Sequence, residues 1–388
     1  MKKCFISVKY LILTILLIAG LNFPNFGQEA KDQKVQNETY QGGNFYEVQH
    51  YNQPGKNKKP KNIILMIGDG MGLAHLYSAM TANGGHLFIE NFRNCGFSKT
   101  YSSNNYITDS AAGGTAFACG AKTYNGAIGV GPDKKPVANI REKAEKKGMK
   151  TGLVATTIIT DATPAVFVAH VASRSSLEDI AADFLKTDID VFIGGGRNNF
   201  EQRKDGRNLS NELKAKGYQV LYNINDIVKV RSGKLAGFTA PGDNPIMPER
   251  GDMLVPATET AIHLLAQGKK GFFLMVEGSD IDHLAHSNST PGVVMETLDF
   301  DKAVGTALKF AASNKETLII VTADHETGGM TLNGGDYTSG KVTGKFTSTG
   351  HTGVAVPVYA FGPGAAEFTG FMENTDIAKK MMKLLGLN

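Results

Sequence analysis

Beyond residue 60 the chain alternates between short, largely apolar runs and longer stretches in which apolar positions recur every three or four residues. Residues 63–67 (IILMI), 151–156 (TGLVAT), 190–193 (DVFI), 271–276 (GFFLMV), 317–321 (TLIIV) and 356–361 (VPVYAF) have strand length and little polar alternation. That pattern predicts strands buried on both faces. Residues 137–147, 176–186, 258–267 and 293–312 carry helical spacing. Strands alternating with helices predict an α/β fold, a three-layer α/β/α sandwich around a central, mainly parallel sheet. Residues 61–388 would form it as one domain. Residues 28–60, rich in Gln, Asn and Lys, read as a flexible polar leader, and the Gly/Thr/Ser-rich stretch 328–350 reads as a long surface loop.

The first 27 residues have a different pattern. Met1-Lys2-Lys3 precedes the apolar run 10–21 (YLILTILLIAGL), the layout of a signal peptide cleaved near Gly27-Gln28. The run is short for a span of roughly 20 residues, although an uncleaved anchor is the alternative. A lipoprotein would need a Cys just after the run, and Cys4 precedes it. The expectation is an exported protein, periplasmic or secreted, with no transmembrane span after cleavage. Export permits a disulfide between Cys95 and Cys119; two free thiols, with Cys119 in the core, are the other reading.

Composition changes this picture little. The chain has 388 residues, 41% hydrophobic and 20% charged, with a net charge of +4. The one dense basic run, residues 56–61 (KNKKPK), reads as a solvated linker, so nucleic-acid recognition is not indicated.

The chemistry gathers where the apolar runs end. The first delivers Asp69 between two glycines, the fourth ends in Glu277, and the fifth leads into Asp324-His325. In open parallel sheets, sites form at the carboxyl ends of strands. Asp282 and His286 stand four residues apart and share one face of a helical turn, an acceptable zinc-ligand pair, with His283 between them. Thr163 follows Asp161 before Pro164; both offer oxygen to a hard cation such as magnesium or serve as turn residues before a helix. Arg174 offers a planar fork suited to phosphate. His170, in an apolar stretch, reads as a satisfied core histidine, and His351 follows the Gly-rich stretch. Ser110 sits in Thr108-Asp109-Ser110-Ala111-Ala112, which reads as a strand-to-helix turn presenting a hydroxyl at an anion-friendly helix end. A serine there needs a base or a metal to activate it.

Seven segments in order resemble the alkaline phosphatases, especially the compact bacterial members. They are Gly68–Gly72, Thr108–Ala112, Lys122–Gly126, the stretch from Asp161 to Arg174, the stretch from Val276 to His286, Thr322–Gly329 and His351–Gly353. The resemblance implies a metal-dependent phosphomonoesterase acting on small phosphate monoesters, with Ser110 as the nucleophile that becomes phosphorylated. It implies a first zinc on Asp282, His286 and His351 and a second on Asp69, Asp324 and His325. A third metal, magnesium with zinc or cobalt as alternatives, would bind Glu277 and Thr163, with Asp69 bridging and Asp161 acting directly or through water. Arg174 would clamp phosphate, Asp109 would orient Arg174 by a salt bridge, and His283 would reach phosphate through water or approach the third metal. Family analogy also implies a homodimer, with crown-mediated contacts reduced because residues 328–350 are short beside vertebrate inserts. A superfamily phosphodiesterase and a non-catalytic phosphate- or metal-binding protein are the rival readings. A sulfatase is disfavoured because no Cys- or Ser-x-Pro-x-Arg motif surrounds Ser110.

Overall fold

The computed structural model describes residues 37–54 and 59–387. The apolar run at 10–21, the expected cleavage point at Gly27-Gln28 and Cys4 lie outside the described residues. In chain order the strands are β1 (Thr39–Tyr40), β2 (Asn62–Gly68), β3 (Asn94–Lys99), β4 (Lys150–Ile158), β5 (Val191–Gly195), β6 (Tyr218–Leu221), β7 (Lys234–Phe238) and β8 (Phe272–Gly278). They continue as β9 (Thr317–Thr322), β10 (Glu326–Thr327), β11 (Met330–Asp336), β12 (Lys341–Phe346), β13 (His351–Thr352), β14 (Val356–Phe361) and β15 (Gly370–Glu373).

Ten of these form one sheet in the order β15-β3-β14-β9-β2-β8-β4-β5-β7-β6. β2, β8 and β9 are buried at every position, as their unbroken apolar runs require. Alternate residues feed opposite layers. Ile63, Leu65 and Ile67 pack with Phe117, Phe167, Ile377 and Met381 on one side. Ile64 and Met66 pack with Leu76, Leu265, Leu298 and Phe300 on the other. The architecture is therefore the expected α/β/α sandwich. Helices Leu73–Ala82, Leu254–Leu265 and Thr290–Asn314 cover one face, and Ser110–Cys119, Ile140–Lys146 and Asn374–Leu385 cover the other.

Parallel pairing joins every neighbouring pair except those of β14, which runs antiparallel to both β9 and β3. Its reversal matters. Gly362-Pro363-Gly364, which follows β14, lies at the opposite edge from the other strand ends, and the residues before it, including His351, arrive at the carboxyl edge.

Three expectations need correction. Residues 328–350 are not a long loop: β11 and β12 pair antiparallel as a hairpin with a bulge at Leu332/Gly334, and β1 adds a third strand. Gly and Thr read as loop, but Val342 and Gly344 face inward while the hairpin tip is closed by Asp336, whose side chain accepts from Thr338 N and Ser339 Oγ. The stretch expected to be a flexible leader is built into the fold over its described part. β1 pairs with β12, Tyr46 O–H donates to Asp301 at 2.5 Å, and Tyr51 N–H donates to Asn91 at 2.6 Å. Finally, ten residues separate β3 from Ser110, so the serine is not on a tight strand-to-helix turn. Both described cysteines are free, Cys119 buried and Cys95 exposed.

Candidate active site

The carboxyl ends of β2, β8 and β9 are in register: Ile67 pairs with both Glu277 and Thr322. The residues that follow therefore converge. Ser110 is the first residue of helix Ser110–Cys119, capped by Asp109, whose carboxylate accepts from Ala112 N at 2.9 Å. The helix is buried throughout and built from small residues for a reason. A Cβ at Gly113 would lie 3.1 Å from the Asp324 side chain, and one at Gly114 3.1 Å from Val166. Glycine lets the helix press onto the end of β9, which puts Ser110 Oγ 3.3 Å from His325 Nε2.

His325 faces Asp324 Oδ2 at 3.1 Å and Asp69 Oδ1 at 3.5 Å. Asp69, Asp324 and His325 are all buried and offer ligand atoms within 4.8 Å of one another. Asp282, His325 and His351 form a second such group. His286 joins it, its Nε2 lying 3.2 Å from Asp282 and 3.1 Å from His351 Nε2. The Nδ1 atoms of His286 and His351 face the carbonyls of Thr349 (2.5 Å) and Thr108 (2.9 Å), which accept only from an N–H. That fixes the tautomers and aims two Nε2 lone pairs at one point beside a carboxylate.

The third cluster is deeper. Glu277 is fully buried, and Thr163 Oγ1 donates to Asp69 Oδ2 at 3.3 Å. Asp69 Oδ1, Asp324 Oδ2 and both carboxylate oxygens of Glu277 have no hydrogen-bond partner among the described residues. Burial, then the charge of Asp161, pushes Glu277 up to about 8. Burial, then Asp324, Asp282, Glu277 and Asp161, raises Asp69. Burial opposes ionisation of Asp282 and Asp324 too, but it is outweighed by His286, His325 and His351 for the first and by His325 for the second, so both are lowered. Unpaired buried carboxylates of this kind are costly. A cation satisfies them, so the donor set fits metal ions on the residues' own chemistry.

Arg174 reaches Asp161 at 3.2 Å and Asp109 at 3.5 Å, so two carboxylates orient it rather than Asp109 alone. His283 Nδ1 bonds Asp280 at 3.0 Å. That bond, against burial, raises the imidazole to about 9. His170 stands apart, bonded to Gly129 O at 2.6 Å and Glu142 at 3.1 Å, as a satisfied histidine should be.

The sequence reading missed some supports. Thr327 Oγ1 donates to Asp282 and contacts His325 Nδ1, joining the two groups. Glu326 accepts from Thr352 across the β10–β13 pair, in which Thr327 opposes His351. The signal for Thr327 was present, two residues after His325, but its role depends on a strand pairing the sequence does not display.

Comparison with known proteins identifies the family. Residues 60–345 and 339–387 match the family described as alkaline phosphatase. The chain is 37% identical to alkaline phosphatase 4 of Bacillus subtilis, over 84% of this chain and 88% of that protein. The alkaline phosphatase of the Antarctic bacterium TAB5 superposes with a TM-score of 0.82 at 43% identity, over 85% of this chain and 100% of that one. A His 135 Glu variant of the TAB5 enzyme, at 42% identity, TM-score 0.80, and 85% and 99% coverage, was solved with Mg bound in its M3 site. The chain belongs to the alkaline phosphatase family, whose members are phosphatases.

Proposed function

We propose that this protein is an exported phosphomonoesterase that hydrolyses small phosphate esters through a phosphoserine at Ser110. The observation that carries the reading is the placement of Ser110 Oγ, 3.3 Å from His325 Nε2, the ring nitrogen that also faces the buried carboxylates of Asp69 and Asp324. Asp282, His286 and His351 would hold one zinc and Asp69, Asp324 and His325 a second. Glu277, Thr163, Asp69 and Asp161 would hold magnesium, the metal named in the TAB5 variant's M3 site. When bound, the metals supply charge neutralisation at the attacking and leaving oxygens and ease ionisation of the serine.

The chain's own residues do the rest. Asp109 caps the helix and orders the Gly126 N–H at 2.8 Å, so the Ser110 segment is rigid before substrate enters. Ser110 Oγ bonds to phosphorus as the bond from phosphorus to the ester oxygen breaks; the serine proton passes to solvent water, and the departing alkoxide takes up a proton from solvent. Arg174, oriented by Asp109 and Asp161, holds two phosphate oxygens, and positioning with charge neutralisation is most of what phosphoryl transfer requires. Water then attacks the phosphoserine from the opposite side and frees Ser110. His283 would reach phosphate through water or approach the third metal.

The test is acid quenching during turnover, followed by mass spectrometry. A phosphoryl group on the Ser110 peptide, absent from Ser110→Ala, supports the reading; its absence under saturating monoester counts against it. Zinc and magnesium content of the purified protein checks the ligand groups. Faster turnover of bis-p-nitrophenyl phosphate than of the monoester would favour a diesterase. An N-terminus near Gln28 on protein recovered outside the cytoplasm supports export. Light scattering at twice the chain mass supports the homodimer that family analogy suggests.

A further inference from the structure

Outside the ligand groups, the densest charge cluster is buried. Arg250 is 1% exposed and contacts three carboxylates: Glu296 at 2.5 Å, Asp280 Oδ2 at 2.9 Å and Asp299 at 2.9 Å. Replacing such a cluster by apolar residues is often neutral or stabilising, so stability alone does not explain it. Its placement does.

The segment bearing Arg250 is pinned across the carboxyl ends of β4 and β5. Gly196 N–H donates to Gly242 O at 2.8 Å, Asn244 Nδ2 to Thr156 O at 2.7 Å, and Met247 N–H to Glu296 at 2.7 Å. Arg250 therefore reaches Asp280 from a fixed wall. Asp280 opens the helix that carries Asp282, His283 and His286. With Oδ2 committed to Arg250, Oδ1 is left for His283 Nδ1 at 3.0 Å. His283 Nδ1 is thereby occupied, while Nε2 has no hydrogen-bond partner among the described residues and the side chain is 49% exposed.

We infer that Asp280 is a positioning residue: clamped by buried Arg250, it fixes the ring of His283 on the phosphate side of the site and ties the wall at residues 240–250 to phosphate binding. This rests on the reading of His283 given above. Neither Asp280 nor Arg250 touches phosphate; both act through the imidazole.

Asp280→Asn is the informative change. Its single carbonyl oxygen stays with Arg250, and its amide turns an N–H toward His283 Nδ1, which reverses the polarity of that bond. Inhibition of the metal-loaded enzyme by inorganic phosphate is measured for Asp280→Asn, His283→Gln and the double variant. Each single change should weaken phosphate inhibition roughly tenfold, the lower range for outer-shell partners. The double variant should match His283→Gln within about twofold, since contacting residues that act in series are not additive. Asp299→Asn is the control, touching Arg250 but not His283. It should lower Tm and leave phosphate inhibition unchanged.

Additive effects in the double variant overturn the inference, as does an unchanged Asp280→Asn beside a weakened His283→Gln. An unchanged His283→Gln instead removes the phosphate-side role of His283, and the inference falls with it while the phosphoserine result stands apart. Should Asp280→Asn fail to fold, wild-type holoenzyme carries the test. Nitrogen-15 histidine NMR, assigned by the signal lost in His283→Gln, must show a proton on Nδ1 of His283; a ring protonated only at Nε2 overturns the proposal.

Discussion

The two ligand groups differ in how the chain supplies them. Asp69, Asp324 and His325 come directly off the carboxyl ends of β2 and β9, and the side chains of Asp324 and His325 have no exposed surface. Asp282, His286 and His351 come from a helical turn and from the short β10–β13 stem, and His286 is 37% exposed. The inner group is fixed by the sheet itself and cut off from water. The outer group is held by hydrogen bonds to the loop carbonyls of Thr349 and Thr108. Sheet ends thus give a rigid, desolvated floor that demands a cation. Connecting segments give a more open upper site.

Four measurements can break or sharpen this contrast, the largest effect first. Ser110→Ala should reduce kcat for a monoester by about 10³-fold or more, because no other hydroxyl lies in its place; metal content by elemental analysis should not change. Asp324→Asn and His351→Ala should then separate the two groups. Loss at the inner site should remove metal and lower Tm together, since metal affinity there is folding free energy. Loss at the outer site should cut turnover by about 10²-fold or more with roughly one metal equivalent lost and Tm nearly unchanged. Equal Tm losses in both would erase the distinction.

The third measurement is the Tm of chelated protein against pH. Glu277 sits at about 8 against an ordinary 4.5. With Asp69 also raised, the metal-free native state binds protons that the unfolded chain does not. The contribution of these two groups to stability is therefore full below the unfolded carboxylate range and is lost as pH rises toward 8. Chelated protein should lose roughly 5 °C between pH 5 and pH 8, while metal-loaded protein stays flat. A flat chelated curve would mean the buried carboxylates find other partners. The smallest effect is Tyr46→Phe, which removes one of three donors to buried Asp301. A loss of about 1–2 kcal/mol in urea unfolding with unchanged kcat is expected.

Much of the inner site was legible because it depends on local pattern. An apolar run followed by Asp, as at 63–69 or 317–324, states both a buried strand and where its end must lie. The four expected helices are present within a few residues, Thr290–Asn314 being longer than its 293–312 pattern and capped by Ser289. The rest was hidden by non-local geometry. β3 reads NCGFSK, too short and mixed to stand out, and β6, β7 and β15 share that weakness. The 330–346 hairpin is written in Gly and Thr, whose strand role depends on a partner. That β14 runs backwards is invisible in VPVYAF, yet it decides on which edge His351 lies. Arg250 and Asp280 are thirty positions apart, and nothing near either announces the other.

The reversed strand also has a temporal meaning. β3, which leads toward Ser110, pairs only with β14 and β15 in the sheet, and both are made some 250 residues later. Before β14 and β15 are in place, β2 and β8 can pair, but the strand leading toward Ser110 has no neighbour in the sheet to dock on. β3 is therefore among the last strands of the sheet to be secured, and long-range pairing of this kind slows folding. A chain lacking residues from 356 onward would retain every proposed metal ligand but lose both sheet partners of β3.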